Sequence, residues 1–213
     1  LFEGTGIEVP EFLELDYEYE KQKNSILDES ILYFRKATID DLNRPAFVNR
    51  NWNPAVIDFY DLRFDETNDN LVFPVRSPEL VGAVGRSAEG KRVHNYFGFF
   101  TGKSLGGYDK LTDAKKIAVV EGWTCLANCY QWAAELGFDV VCTFTANVSD
   151  VQCQMLADTG KVLHLWLDQD KAGKAGVKRV SEKIDDILFV AEWDKSLGDV
   201  GGMSREVFFS TFG

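Results

Sequence analysis

The sequence predicts an α/β protein: a central parallel sheet flanked by helices, preceded by a smaller α+β subdomain. Three observations carry this. From Lys115 onward, short apolar runs alternate four times with segments of helical spacing, joined by short connections. Upstream, two apolar runs flank a Ser-Pro-Glu turn, as in a β-hairpin. The 213 residues are 45% hydrophobic and 27% charged, enough for one large domain or two small ones sharing an interface.

Residues 1–24, with EVPEFLELDYEYEKQKN, are read as an acidic lead-in or arm. The spacing of Ile26, Leu27, Ile31, Leu32 and Phe34 predicts a helix over 25–37. Residues 40–60 read as a helical pair, the second opened by Asn53 as cap and Pro54 in the first turn. LVFPVRS and LVGAVGRS form the predicted hairpin. Residues 90–110 are rich in glycine and aromatics, and the subdomain is taken to run over 25–114.

The second part, 115–213, opens with the strand KIAVVEG. A helix over TCLANCYQWAAELG follows, ended by Gly137. Then come the strand DVVCTF, a helix from Ser149 or Asp150, the strand KVLHLWLD, a helix over KAGKAGVKRVSEKID, the strand ILFVAEW and a last helix over SREVFFSTF. Parallel sheets covered on both faces bind ligands beyond the carboxyl ends of their strands.

Acids stand at those ends: Glu121 after the first strand, Asp168 and Asp170 after the third, and Asp194 and Asp199 after the fourth. Residues 168 and 170 share one side of an extended backbone. Clustered carboxylates repel, and a hard cation between them relieves the repulsion. Asp170 ahead of KAGKAG also suits a helix cap. The further acid at a neighbouring strand tip favours a site for Mg²⁺ or Mn²⁺.

Net charge is −11, unevenly spread. Residues 1–34 carry 2 Lys+Arg against 9 Asp+Glu, residues 35–116 carry 13 against 11, and residues 117–213 carry 8 against 14. A polyanion fits the basic middle and a divalent cation the acidic end. The four cysteines, Cys125, Cys129, Cys142 and Cys153, form no C-x-x-C pair and read as small buried hydrophobes of a reducing cytoplasm rather than a zinc site. No apolar run is long enough to span a bilayer, and nothing resembles a signal peptide. The chain begins at Leu1 rather than Met and is read as a fragment.

KIAVVEGW, then LWLDQDKAGKAG, resembles the TOPRIM domain of primases, type IA and type II topoisomerases and several nucleases. The family's glutamate corresponds to Glu121 and its D-x-D to Asp168 and Asp170. AFVNRNWNPAVIDFYDLRF, NLVFPVRSPELVGAVGRS and GKRVHNYFGFFTGKSLGG are similar to segments of bacterial and phage replicative primases, so the resemblance spans about residues 40 to 210. It implies the RNA polymerase core of a DnaG-like primase, which makes RNA primers on single-stranded DNA from ribonucleoside triphosphates with a divalent metal. Glu121, Asp168 and Asp170 would be catalytic, with Asp199 as a further metal ligand. Arg50, Arg86, Arg92, Asn95 and Lys103 fall where the family contacts template and nucleotide. A replicative helicase and a zinc-binding domain are the implied partners, in a bacterial or phage-infected cell. Two departures stand out: Cys125 occupies the place of a family acid, and GDVGG replaces the closing D-P-D, leaving Asp199 without a second acid. A TOPRIM nuclease and a catalytically weakened DNA- or helicase-binding module are the alternatives.

Overall fold

The computed structural model describes residues 27–50, 52–184 and 188–213. The acidic lead-in lies outside them. Nine strands form two sheets among the described residues: an antiparallel one in the order β1-β2-β3-β4-β5 and a parallel one in the order β7-β6-β8-β9.

The antiparallel sheet is built from β1 (Arg35–Lys36), β2 (Arg63–Asp65), β3 (Asn70–Arg76), β4 (Leu80–Ser87) and β5 (Val93–Tyr96). The predicted hairpin is the β3–β4 pair, in register from Asn70 opposite Ser87 to a bulge at Val75/Arg76. The helix predicted over 25–37 is shorter. Helix α1 is described over residues 27–31 and the chain then turns into β1. Phe34 continues the apolar spacing, but it packs from the turn against Tyr96 rather than from a helix. The predicted helical pair is two single turns, α2 (Ile39–Leu42) and α3 (Val56–Phe59), with turns between them. Asn53 is not the cap of α3: the helix starts two residues later than expected, with Ala55 at its N-cap, and the Asn53 side chain instead closes a turn just ahead of it, accepting from the Ala55 N–H at 2.9 Å.

The parallel sheet follows the predicted alternation: β6 (Lys116–Val120), α4 (Trp123–Glu135), β7 (Phe138–Cys142), α5 (Asp150–Asp158), β8 (Val162–Trp166), α6 (Lys171–Ser181), β9 (Leu188–Val190) and α7 (Arg205–Phe212). Successive β6 residues part between two cores, as the period of a strand requires. Ala118 and Val120 join α4, Trp166, Phe208 of α7 and the antiparallel-sheet residues Leu71, Phe73 and Val84. Ile117 and Val119 join Cys153 and Leu156 of α5 and Val180 of α6 on the other face. Trp123 stacks on Phe73 with ring centroids 5.5 Å apart, joining the first turn of α4 to the middle of β3. A third, smaller core sets Leu27 and Ile31 of α1 on Val72, Leu80, Ala83 and Tyr96, covering the far face of the antiparallel sheet. All four cysteines are buried free thiols, as expected. Among the described residues, no helix is long and apolar enough to cross a membrane.

The order β7-β6-β8 means that the chain leaves β6 to one side and returns to the other. The tips of β6 and β8, paired in register with Val120 opposite Trp166, therefore flank the crevice where such sheets bind ligands.

Candidate active site

A cleft of about 350 Å³ opens at these tips, walled on one side by the parallel sheet and on the other by the antiparallel one. Glu121 and Asp168 line it from just beyond β6 and β8, and Asp199 from the loop before α7. Arg86 from β4 and Asn95 from β5 line the opposite wall, with Val84, Val93 and Thr101. Gly122, Trp123, Thr124 and Cys125 bring the N-terminal turn of α4 to the same space. The unpaired N–H groups and partial positive charge of a helix start favour anions there.

The backbone around Asp168 is fixed by close approach. A Cβ on Gly173 would collide with the Asp168 carbonyl, so the first turn of α6 packs directly on the aspartate's main chain. Asp170 is the α6 cap, its Oδ1 accepting from the Gly173 N–H at 2.9 Å. It is exposed and stands outside the cleft lining. Its charge still reaches inward. Burial first, then Asp168 and Asp170, push the Glu121 carboxyl up to about 7, although the Ala146 N–H donates to it. Burial, Asp199 and Asp170 raise Asp168 in the same way, against the pull of Arg50. These two carboxylates are under-neutralised.

The opposite charges are under-satisfied too. Arg50 pairs loosely with Asp199, at 3.7 Å, and its Nη1 is buried without a hydrogen-bond partner. Arg86 likewise buries an unpartnered Nε, and burial together with the nearby Arg50 presses its guanidinium below its ordinary value. Buried donors without acceptors are costly and uncommon. Two guanidinium groups close enough to repel, both short of acceptors, suit an anion such as phosphate. Gly201 completes this corner: a Cβ there would collide with Arg50 Nη1 and press on Cys125.

The remaining expected residues stand elsewhere. Arg92 is exposed just before β5, and Lys103 is exposed in the turn 101–103. Neither lines the cleft. Cys125, in the place of a family acid, is buried with its thiol pushed up to about 12, chiefly by burial, and so stays protonated. Asp194 caps the turn 195–197 by accepting from the Ser196 N–H at 2.8 Å. Arg76 braces the fold through Asp28 at 3.4 Å and Asp61 at 4.0 Å. His164 sits between the rings of Phe138 and Phe189.

Among the described residues, no three His, Cys, Asp or Glu side chains stand close enough to enclose a metal ion. Asp170 is turned to its helix and Asp199 toward Arg50, and unscreened carboxylates do not converge unaided. The donor set still fits Mg²⁺ or Mn²⁺. Such ions commonly take one or two carboxylates, several waters and the substrate's phosphates, rather than an all-protein cage. Glu121 and Asp168 are the carboxylates in place for that. Sequence reasoning did not single out Thr101, Thr124, Phe144 or Thr145 as cleft residues. Phe144 and Thr145 lie in the loop after β7, Thr101 opens the turn 101–103 and Thr124 sits in the first turn of α4, so no apolar pattern marks them as a group.

No protein-family model matches the sequence, and no curated protein matches it. Solved structures do. A DnaG primase catalytic domain bound to single-stranded DNA superposes with a TM-score of 0.67 at 15% identity, over 91% of this chain and 79% of the other. The primase fragment of the bacteriophage T7 primase-helicase gives 0.63 at 17% identity, over 79% and 74%. A DNA primase domain from Pseudomonas aeruginosa gives 0.63 at 17% identity, over 89% and 77%. The chain thus has the fold of the DnaG-like primase catalytic core.

Proposed function

We propose that this protein is the RNA polymerase core of a DNA primase, a nucleotidyltransferase that copies single-stranded DNA into a short RNA primer from ribonucleoside triphosphates. One observation carries the reading: a single cleft sets the under-neutralised Glu121 and Asp168 against the unsatisfied Arg86 guanidinium, with Arg50 just behind the lining against Asp199. A nucleoside triphosphate with its divalent ion has the charges to satisfy both walls.

In the reaction the primer 3′-hydroxyl attacks the α-phosphorus of the incoming nucleotide. A P–O bond forms, the bond to pyrophosphate breaks, and the hydroxyl loses a proton. Mg²⁺ or Mn²⁺, when bound, neutralises charge on the triphosphate and the leaving pyrophosphate. Asp168 would hold the ion, with Asp170 supplying outer negative charge and Asp199 a further carboxylate. Glu121, with a proton affinity near neutrality, either joins Asp168 on the ion or accepts the hydroxyl proton. Arg50 and Arg86 hold triphosphate oxygens, aided by the start of α4. Asn95 meets sugar or base. Arg92 and Lys103, outside the cleft, take template phosphates. Residues 25–114 thereby serve as the template-bearing part and 115–213 as the TOPRIM part. A replicative helicase and a zinc-binding domain act with it in the cytoplasm of a bacterial or phage-infected cell.

The test is primer synthesis from labelled ribonucleotides on single-stranded DNA, with wild type and Asp168→Ala. Synthesis that disappears in the variant supports the proposal. Template cleavage that disappears in the variant means a nuclease. One observation favours a second reading, a binding module with weakened catalysis: Cys125 is buried and protonated where the family has an acid, and no three acids gather. Template binding without either chemistry is its signature.

A further inference from the structure

Residues 90–108 contain Lys91, Arg92 and Lys103 and no acid, in a chain of net charge −11. Within this stretch, Phe97 and Gly98 both take left-handed backbone, with φ of 56° and 66°. For phenylalanine that conformation is unfavourable. The kink sorts four aromatic residues into two sets. Tyr96 and Phe99 are 7% and 6% exposed, whereas Phe97 and Phe100 are 38% and 72% exposed. The inward rings are well held. The Tyr96 hydroxyl donates to Asp65 at 2.7 Å and accepts from Asn70 at 2.8 Å, and Phe99 meets Phe144 edge-on at 5.5 Å. Phe97 leans on Phe34 and Tyr96. Phe100 has no ring partner among the described residues.

The backbone just past Phe100 is gripped by the start of α5. The buried Gln152 side-chain amide donates to the carbonyls of Thr101 at 3.0 Å, Ser104 at 2.9 Å and Thr143 at 3.0 Å. Ser149 Oγ donates to the Gly102 carbonyl at 2.5 Å. The Lys103 N–H closes the turn on the Phe100 carbonyl at 3.0 Å. A lone exposed phenylalanine is ordinary on a protein surface. One whose main chain is fixed by a left-handed kink before it and a buried amide after it is held out in a set position. That position adjoins the cleft, which Thr101, Val93 and Asn95 line.

We propose that Phe100 is a stacking platform for an unpaired base of a single-stranded nucleic acid entering the cleft, with Lys103 on the adjoining phosphate. Aromatic faces accept any base, so the contact orders the strand without reading its sequence. The inference rests on the nucleotidyltransferase reading only for its account of why a strand enters. It stands on its own as a claim about binding.

The test compares binding of two labelled tracts of equal length, oligo-dT and an abasic oligodeoxynucleotide, by fluorescence anisotropy. Phe100→Ala weakens oligo-dT binding about 5- to 150-fold and leaves the abasic tract unaffected. Phe100→Trp restores the oligo-dT affinity. Unchanged oligo-dT binding by Phe100→Ala, an equal loss on both tracts, or no binding by wild type each overturns the proposal. Primer synthesis, measured alongside, separates the two claims. Synthesis with an indifferent Phe100 sinks the platform alone, and a base-dependent Phe100 effect without synthesis sinks the polymerase alone.

Discussion

Replacing Glu121 by glutamine tests the electrostatics of the cleft without occupying it. The carboxyl is pushed from 4.5 to about 7, first by burial and then by Asp168 and Asp170. A raised carboxyl pKa means that the fold prefers the protonated form. Its contribution is fully present below about pH 4.5 and is lost as pH rises through about 7. A shift of that size corresponds to at most about 3.4 kcal/mol. The group is only partly buried, and solvent screening reduces this to about 1–2 kcal/mol. Glutamine keeps the shape and has no charge to lose. Without divalent metal, Glu121→Gln should therefore match wild type near pH 4.5 and melt about 2–8 °C higher at pH 8, at about 2–4 °C per kcal/mol. Thermal melts across this range, read as the difference between the two proteins, cancel the titration of the groups that Glu121 does not touch electrostatically. Mn²⁺ at pH 8 should raise the wild-type melting temperature and move the variant much less, since the ion binds the ionised carboxylate. Parallel pH curves for the two proteins would refute the claim that Glu121 is strained by its surroundings. Equal Mn²⁺ shifts would refute its part in holding the ion.

Asp170→Asn keeps a good cap on α6 while removing a charge that repels Glu121 and Asp168, so melting near neutral pH should hold or rise and Mn²⁺ affinity should fall; Asp170→Ala should additionally cost about 1 kcal/mol relative to Asp170→Asn in a denaturant titration. Tyr96→Phe strips both hydrogen bonds from a buried triad with Asp65 and Asn70, and unfolding by urea should show a loss of about 1–3 kcal/mol. Gly201→Ala drives a methyl into Arg50 and Cys125, and should cost about 1–3 kcal/mol in melts while raising the KM for nucleotide. Arg86→Ala should raise that KM at least tenfold with a smaller change in kcat, because the phosphate then loses a charged donor.

The parallel half of the molecule was readable because its signals are local. An apolar run and a helical segment recur over about 95 residues, with acids at three of the four strand tips, and each strand lies near its expected place. The antiparallel half was harder. Strands β1, β2 and β5 are two to four residues long and contain arginine, aspartate, histidine and asparagine, so no apolar alternation marks them. Their identity depends on partners far along the chain, such as Arg63 opposite Val72 and Val93 opposite Arg86. The same split holds at the cleft. Glu121 and Asp168 announce themselves at strand tips, but whether Asp170 faces a ligand or its own helix is decided by a side-chain torsion. Arg50 reaches the acids only because the turns after α2 fold back toward the loop before α7.

The stacking of Trp123 on Phe73, and the apolar mass that continues on both sides of it, binds the floor of the cleft to its roof. Prising the two apart would wet a large aromatic contact, so the gape between acids and arginines is set when the chain folds rather than when a ligand arrives. Whatever ligand enters meets a mouth of nearly constant width, with adjustment left to surface turns and side chains.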